Sequence, residues 1–476
     1  MAVRSEPKDK FPRRSRMHAS EIDDPGRRSN RLVTLLVAAA VAIAFADSSI
    51  VVLALPQLYG DLQTSIEGVA WVVTAYNAAV AAAAFALFLF VHRLRARAVL
   101  AVGLVVFLVA SIACALADSL SFLVAARSVQ GVGAALLLAG SLPVLAVLTG
   151  SAGRGAALWT LAGTFGAALG PALGGVLTQG LDWRAIFAFQ APVAALGLLG
   201  AVKARVELVA EEGYTPRSAR SLPANICLGL VFGALVGVLF LSVLLVISVW
   251  GHSPISGAAI VSVLPAATLA VRPLGRRLPG ATAVQGGTAL LLGGLLGLAL
   301  LPSTNVGFVV WALALCGAGL GLAVPVLSNA ALDLRAGLTR SGTLTIGIRH
   351  LGLVLALALI APVLASTLPA AGDRAMLRGT AVILDAPIGL SKKIPIALEL
   401  RSAFNDARDG QRPDLSKPFD EHGAGTDEEL ASTRDELIGV IEGTITRAFR
   451  PAFALSAAFA ALALALALIM RRRLVA

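Results

Sequence analysis

Apolar runs long enough to cross a membrane recur along this chain of 476 residues, and short polar stretches separate them. A helix needs about 20 consecutive apolar residues to span the hydrocarbon core of a bilayer. Lipid offers no partner to unpaired backbone groups, so each run is predicted to be a helix. The twelve predicted runs are 32–56, 68–91, 97–117, 120–149, 155–179, 184–202, 224–250, 257–274, 283–302, 307–331, 340–367 and 451–470.

The composition agrees with an integral membrane protein. Hydrophobic residues make up 57% of the chain and charged residues only 14%, which is more apolar sequence than a water-soluble core can bury. The three cysteines, Cys114, Cys227 and Cys316, lie inside apolar runs, so no disulfide is expected. No cleaved signal peptide is predicted, because the first 30 residues are polar and mixed in charge.

The net charge of +11 is explained by membrane topology rather than by a nucleic-acid partner. Basic residues cluster in alternate polar segments, and the intervening short loops contain few, Arg184 being the main exception. This positive-inside pattern predicts a multi-pass protein of a bacterial inner membrane with both termini in the cytoplasm. The clustered residues are Arg93, Arg95, Arg97, Arg154, Lys203, Arg205, Arg217, Arg220, Arg276, Arg277, Arg335, Arg340 and Arg471 to Arg473.

A long polar break after the sixth run divides the helices into two sets of six. The predicted parts are a cytoplasmic tail 1–31, a first six-helix bundle 32–202, a linker 203–223, a second six-helix bundle 224–470 and a basic tail 471–476. A glycine pattern supports a repeat, because Gly131, Gly133 and Gly166 recur 186 residues later as Gly317, Gly319 and Gly352. Parallel repeats of this kind place a transport site between two halves.

The segment 371–449 is predicted to be a long extracytoplasmic loop between helices 11 and 12. It holds 14 of the 28 acidic residues, and its middle is rich in Pro, Gly and Asp, which predicts irregular structure. A capping box of Thr426 and Glu429 predicts a helix near its end. The apolar face of that helix would be Leu430, Leu437, Ile441 and Ile445. Two interpretations remain open, a small cap over the outer mouth and a solvated linker that extends helix 12.

The fifth run contains a smooth glycine face. Gly163, Gly166, Gly170 and Gly174 are spaced three, four and four residues apart, so they lie on one side of the helix. Such a face lets a second helix approach closely in lipid. Pro171 removes a backbone donor in the middle of the helix and is expected to bend it.

Two charged side chains stand out inside the apolar runs. Asp47 is the only charge in the first run, and Arg127 lies at a similar depth in the fourth. An ionisable group in a membrane helix is a functional hypothesis by default. We therefore predict that Asp47 carries protons and pairs with Arg127. The alternatives are a structural hydrogen bond from Asp47 and an Arg127 that only binds carbonyl groups.

Four motifs resemble the drug:proton antiporter branch of the major facilitator superfamily that is related to fourteen-helix multidrug exporters. They are FADSSIVVLALPQL with Asp47, RSVQGVGAALLLAGSLPVLAVL with Arg127, GPALGG followed by DWRAIFAFQAPVA, and RSGTLTIGIRHLG with Arg349. The resemblance implies an all-α polytopic fold of two six-helix bundles with alternating access. It also implies proton coupling through Asp47 and Arg127. The implied exchange motif is Gly166, Gly170, Pro171, Gly174 and Gly175.

Three features depart from that branch. Twelve helices are predicted rather than fourteen, and segment 371–449 has no counterpart in a minimal exporter. In the loop FVHRLRARAVL, His92 stands where the family usually has aspartate and Arg95 where it has glycine. Because this motif helps to lock one conformational state, the lock is expected to differ here.

Other polar residues in the apolar runs are candidates for the wall of a substrate cavity. These residues are Tyr76, Asn77, Gln130, Gln190, Arg349 and His350. His350 would titrate near neutral pH, although packing or a cytoplasmic gate is the other interpretation. No nucleotide-binding loop or zinc-spaced Cys/His cluster occurs in the sequence, so neither ATP-driven transport nor an enzyme activity is predicted. The proton gradient is the expected energy source, and no cofactor or metal is expected.

The sequence therefore predicts a secondary transporter that exports hydrophobic or amphipathic compounds in exchange for protons. Cationic drugs fit this prediction because Asp47 would attract them. One alternative keeps the fold but exports a lipid or a lipid-linked envelope component. Another is a non-transporting sensor or assembly partner, with segment 371–449 as the surface for an extracytoplasmic partner.

Overall fold

The computed structural model describes residues 25–90, 95–204, 221–302, 304–332, 337–406, 415–422, 424 and 427–470, with only the backbone at 25–29 and 404–406. This part of the chain is helical and contains no strand. His92 and Thr426 lie outside the described residues. Twelve helical segments are long and apolar enough to cross a membrane, which confirms the predicted number.

The first half begins with α1 and ends with α7. Its helices are α1 Pro25–Ile50, α2 Leu55–Asp61, α3 Ile66–Phe90, α4 Ala96–Ala115, α5 Leu120–Leu148, α6 Ala152–Gly180 and α7 Arg184–Lys203. A 3₁₀ segment, Val51–Ala54, joins α1 to α2. Asn30–Asp61 therefore forms one continuous membrane span.

The second half has the same number of spans but is more broken. Its helices are α8 Ser221–Val243, α9 Pro254–Val261, α10 Val263–Ala270, α11 Arg272–Gly275, α12 Gly280–Ala299, α13 Val306–Ala331 and α14 Leu338–Asp385, and then, after three further helices, α18 Arg450–Ile469. A π-helical segment, Leu244–Val249, continues α8. The helices α9 to α11 together make the span Pro254–Gly275.

The glycine repeat marks equivalent helix crossings in the two halves. A Cβ atom on Gly166 would lie 1.9 Å from the carbonyl oxygen of Ala42, where α6 crosses α1. A Cβ atom on Gly352 would lie 2.0 Å from the carbonyl oxygen of Gly229, where α14 crosses α8. Side chains larger than hydrogen would push these backbones apart, so both crossings depend on glycine.

The other two repeated glycines follow the same rule. Gly131 and Gly317 face the carbonyl oxygens of Tyr76 and Leu264, at 2.4 Å and 2.0 Å from an ideal Cβ atom. Gly133 faces α4, and Gly319 faces α12, its equivalent in the second half. The two halves are thus built on one packing scheme.

The predicted loop 371–449 is mostly helical, which corrects the prediction of a long loop. The eleventh span does not stop near residue 367, because α14 continues to Asp385. Three more helices follow before α18. They are α15 Leu390–Asp406, α16 Ser416–Glu421 and α17 Glu428–Ala448. We call the region from 371 to 449 the cap.

The described helices of the cap pack together, and α17 runs on into α18, which agrees with the predicted helical extension of helix 12. The predicted apolar face of α17 is buried, and Leu437 and Ile441 lie next to Gly379 on the extension of α14. At its base, the indole nitrogen of Trp250 donates to Thr446 Oγ1 at 2.9 Å. Asp427 caps α17 by accepting from the backbone of Glu429 and Leu430. The Trp250 contact attaches the cap to the second half, and the other contacts hold the cap together.

Candidate functional site

Asp47 and Arg127 form a buried ion pair between α1 and α5. Arg127 Nη1 lies 2.8 Å from Asp47 Oδ1, and Arg127 Nη2 lies 2.6 Å from Asp47 Oδ2. Both side chains are fully buried. A planar guanidinium and a carboxylate make two parallel hydrogen bonds in this arrangement, which is the strongest geometry for such a pair.

Two glutamines complete the ion pair. Gln190 of α7 donates to Asp47 Oδ1 at 2.9 Å. Gln130 accepts from Arg127 Nη1 at 2.6 Å and donates to Gln190 Oε1, also at 2.6 Å. Gln130 also donates to Ser111 Oγ on α4 at 2.8 Å. The result is a closed hydrogen-bond network that joins α1, α4, α5 and α7.

The remaining surface of Arg127 is also occupied. Its Nε donates to the carbonyl oxygen of Val72 at 3.1 Å, and its guanidinium lies 4.3 Å from the centroid of the Tyr76 ring. The Tyr76 hydroxyl donates to the carbonyl oxygen of Ala44 at 2.9 Å. Leaving one charge of a buried pair without its partner costs about 3–5 kcal/mol. This network therefore stabilises the first half only while both charges are present.

A second polar contact joins the two halves. His350 Nδ1 of α14 lies 2.7 Å from Asn77 Oδ1 of α3, and Ser48 Oγ donates to the same oxygen at 3.1 Å. Among the described residues, no group makes a hydrogen bond to the other ring nitrogen, His350 Nε2, which is buried. The centroids of the His350 and Tyr76 rings are 6.5 Å apart, so this contact adjoins the ion-pair network.

A large cavity lies between the halves. Its volume is about 1240 Å³, including space that is open to solvent. The walls come from α1 and α6 of the first half and from α8, α10, α11, α13 and α14 of the second. Most of the lining side chains are apolar, as in pockets for hydrophobic ligands. The lining residues of α8, α13 and α14 lie closer to one membrane side. It is the side on which α1 begins and α18 ends.

At the opposite end of the cavity, α6 contacts α9. A Cβ atom on Gly175 would lie 2.2 Å from Ala258 Cβ, so the two helices touch there. The backbone nitrogen of Ile255 donates to Gln179 Oε1 at 2.9 Å. These contacts join the two halves on that side.

The glycine face of α6 packs against the first span, as predicted. Gly166 and Gly174 face the carbonyl oxygens of Ala42 and Ile50. Gly170 faces Ser49, whose hydroxyl lies within hydrogen-bond distance of two carbonyl oxygens, 2.9 Å from that of Ala46 and 3.2 Å from that of Ala167. Pro171 cannot donate to the Ala167 carbonyl, so the Ser49 hydroxyl is a donor within reach of the acceptor that the proline leaves free. Pro171 itself lines the cavity.

Arg349 is the predicted candidate that lines this cavity. Its guanidinium carbon lies 3.8 Å from the centroid of the Phe232 ring and 4.3 Å from that of Phe45. An arginine at the centre of a membrane helix costs about 2.5–3.5 kcal/mol on insertion scales. Cation–π contacts return about 0.5–2 kcal/mol. The rings therefore offset only part of the cost.

The other five cavity candidates do not border this cavity. Gln130 and Gln190 belong to the ion-pair network, Tyr76 lies over Arg127, and Asn77 and His350 form the contact between the halves. Asp47 is also absent from the cavity wall, which separates it from any compound in this state. Reasoning from the sequence missed Ser111, Phe45 and Phe232. A serine amid apolar residues was the one signal for Ser111, and nothing set these phenylalanines apart from other apolar side chains.

Comparison with known proteins agrees with this architecture. The sequence profile described as Major Facilitator Superfamily matches residues 37–357. The chain belongs to the major facilitator superfamily. Members of this superfamily are membrane transporters and not enzymes, which agrees with the twelve spans and the cavity between halves.

Named relatives include drug exporters. A drug efflux pump of Mycobacterium tuberculosis, JefA, is 34% identical over 172 residues, covering 35% of this chain and 33% of the relative. A methylenomycin A resistance protein of Streptomyces coelicolor is 31% identical over 265 residues, covering 53% of each protein. The chain thus matches about a third to a half of the length of these relatives.

Solved structures show the same fold. A bacterial homologue of the human lysosomal transporter Spinster, in an inward-facing and unoccupied conformation, matches with a TM-score of 0.59 at 16% identity. That match covers 93% of this chain and 98% of the homologue. A D-xylose–proton symporter matches with a TM-score of 0.56 at 14% identity, covering 69% of this chain and 89% of the symporter.

Proposed function

We propose that the protein exports hydrophobic or amphipathic compounds across a bacterial inner membrane in exchange for protons. The observation that carries the proposal is the fully buried Asp47–Arg127 pair beside a large apolar cavity between two halves. The names of two relatives, a drug efflux pump and a methylenomycin A resistance protein, support the direction and the class of compound.

The hydrogen bonds around Asp47 support a link between its protonation and the conformation. Asp47 Oδ1 accepts from Arg127 and Gln190, and Asp47 Oδ2 accepts from Arg127. All of these contacts require an acceptor oxygen on Asp47. A proton that binds another conformation more strongly shifts the population toward it. Protonation of Asp47 would therefore weaken its bond to Arg127 and loosen α1 from α5.

The contacts between α6 and α9 indicate how access to the cavity would alternate. With both termini in the cytoplasm, the cavity described above opens inward and the contacts of α6 with α9 close the outside. The opposite state requires these contacts to separate, because Gly175 and Gln179 hold the two halves together there. Closing the inner side then releases the compound outward.

The test measures proton flux driven by a transported compound. Fluorescent amphipathic compounds are first screened for lower accumulation in efflux-deficient bacteria that express the protein. An exported compound is then added to proteoliposomes that contain the purified protein and a trapped pH dye. We expect the compound to evoke proton flux with the wild-type protein, and we expect Asp47→Asn to reduce that flux to background.

Asp61→Asn is the matched control. Asp61 lies at the end of the same span and accepts a hydrogen bond from Trp183 at 3.2 Å, outside the ion-pair network. It should retain the flux of the wild-type protein. Full compound-evoked flux with Asp47→Asn would exclude Asp47 from coupling. Failure to export any amphipathic compound in the screen would count against drug-type efflux.

A further inference from the structure

We propose that the cavity binds amphipathic compounds that carry one anionic group, a carboxylate or a sulfonate, and that Arg349 binds this group. The inference rests on the proposed export function for its biological role, but the binding itself needs no proton gradient. It also reverses the expectation that cationic drugs are the preferred cargo.

The charge of the cavity wall is the first argument. Arg272 and Arg349 line the cavity, and none of the lining residues in the described part of the chain is acidic. Asp47 is the nearest acidic residue along α1, but Arg127 already pairs with it in the first half. A compound that enters this cavity therefore meets positive charge and no compensating carboxylate.

The lack of a partner for Arg349 is the second argument. Within the described residues Arg349 has no hydrogen bond or ion pair, and its Nε atom is buried without a partner. Buried charges in proteins are normally paired or hydrogen-bonded. A guanidinium carries five donors in a planar fork that fits a carboxylate or a sulfonate. A compound with such a group would supply the missing acceptors.

The surroundings of Arg349 indicate what the rest of the compound is like. Phe45 and Phe232 contact the guanidinium with their rings, and aliphatic side chains form the adjoining wall of the cavity. The rings come from different halves, because Phe45 lies on α1 and Phe232 lies on α8. An apolar body would occupy the space beside them while its anionic group faces Arg349.

Arg272 lies in a different environment. It is the first residue of α11, at the end of its span on the side of the chain termini. An anion entering from that side would pass Arg272 before it reaches Arg349. We therefore assign the binding of the anionic group to Arg349, and the position of Arg272 favours attraction during entry.

The test compares ligands that have the same apolar body. The purified protein in lipid nanodiscs is titrated with 1-naphthalenesulfonate and with its neutral analogue 1-naphthalenesulfonamide. A third ligand is the cation (1-naphthylmethyl)trimethylammonium. Wild-type protein should bind the sulfonate about tenfold more tightly than the sulfonamide, and the cation most weakly, because only the anion compensates Arg349.

Variants of Arg349 connect the preference to this side chain. Arg349→Gln should remove the preference for the sulfonate and leave affinity for the sulfonamide unchanged, whereas Arg349→Lys should retain part of the preference. Arg340→Gln is the matched control, since Arg340 lies on the same helix and does not line the cavity. It should bind all three ligands as the wild-type protein does.

The outcomes separate this proposal from the proposed function. Equal binding of sulfonate and sulfonamide by the wild-type protein would overturn the anion site, even if proton-coupled export were established with another compound. A preference that survives Arg349→Gln would assign the anion to another residue and also overturn the proposal. A wild-type preference that disappears in Arg349→Gln would support the site even if no compound evoked proton flux.

Discussion

The two halves of the protein share a packing scheme but differ in the charges that they contain. Gly166 in the first half and Gly352 in the second occupy equivalent helix crossings and meet carbonyl oxygens at nearly the same distance. The arginines of the two halves are treated differently. Arg127 is enclosed by Asp47, Gln130 and Tyr76, whereas Arg349 contacts the rings of Phe45 and Phe232 at the cavity wall.

This difference is the basis of our proposal that Arg127 belongs to an internal network and that Arg349 is open to a ligand. A buried charge that is fully paired has no free acceptor or donor for a compound. It responds instead to a proton, which changes the number of charges in the network. An arginine at a cavity wall that lacks a carboxylate partner can instead pair with an anion that enters the cavity.

The largest expected effect concerns the stability of the two arginine sites. Arg127→Gln leaves Asp47 buried without its cation and should lower the free energy of unfolding by about 3–5 kcal/mol. Arg349→Gln removes a charge that has no ion-pair partner among the described residues. It should change the free energy of unfolding by less than about 1 kcal/mol. Denaturant unfolding of both variants in the same detergent, followed by helical circular dichroism, measures this difference.

The double variant Asp47→Asn/Arg127→Gln is the control for this comparison. It removes both charges, so it should recover a large part of the stability that Arg127→Gln loses. A similar loss in Arg127→Gln and Arg349→Gln would contradict the distinction between the two sites.

The next effect tests whether the halves are equally dependent on glycine. Gly166→Ala and Gly352→Ala each place a methyl group against a backbone carbonyl and should each cost about 1–3 kcal/mol of unfolding free energy. Gly293 of α12 has no atom near an ideal Cβ position. Gly293→Ala should therefore stabilise the protein by up to about 1 kcal/mol. If Gly166→Ala and Gly352→Ala lowered the free energy of unfolding by very different amounts, the two helix crossings would not be equivalent in packing.

The smallest effect concerns the cap, where the second half departs from the first. Lys392 Nζ donates to Asp427 Oδ2 at 2.7 Å, and this hydrogen bond lowers the pKa of Asp427. A lowered pKa means that the ionised side chain stabilises the cap above the pKa of the unfolded state. That contribution is lost as the pH falls through the folded-state pKa.

Hydrogen exchange of α17 measures this contribution. Asp427→Ala also removes the N-cap, so amides in the first turn of α17 should exchange about threefold faster at neutral pH. The difference from wild-type protein should shrink as Asp427 is protonated. Unchanged protection in the variant, or a difference independent of pH, would contradict the role of Asp427.

Much of the fold was predictable, because lipid imposes strong rules on sequence. Apolar run length gave the twelve spans, and the 186-residue glycine repeat gave equivalent crossings that the structure contains. The cap was wrongly predicted as a loop, except for the helix near its end, which is α17. Its helices are amphipathic and charged, and their stability comes from burial of residues such as Leu437 against α14, which composition alone does not reveal.

The candidate site was predictable only in part. The pairing of Asp47 with Arg127 was predictable from their similar depths, because the rise per residue of a helix converts sequence position into depth. The assignment of Gln130 and Gln190 to the ion pair depends on how four helices rotate about their axes. A polar residue in a membrane helix indicates a buried contact, but sequence does not say whether that contact is a network or a cavity.

The most direct test of this account applies two assays to two variants. Asp47→Asn and Arg349→Gln are each measured for compound-evoked proton flux in proteoliposomes and for preference between 1-naphthalenesulfonate and its sulfonamide. The account predicts that Asp47→Asn loses proton flux but retains the preference for the sulfonate. It predicts that Arg349→Gln loses that preference. A variant Asp47→Asn that loses the sulfonate preference, or an Arg349→Gln that retains it, would contradict the separation of proton site and ligand site.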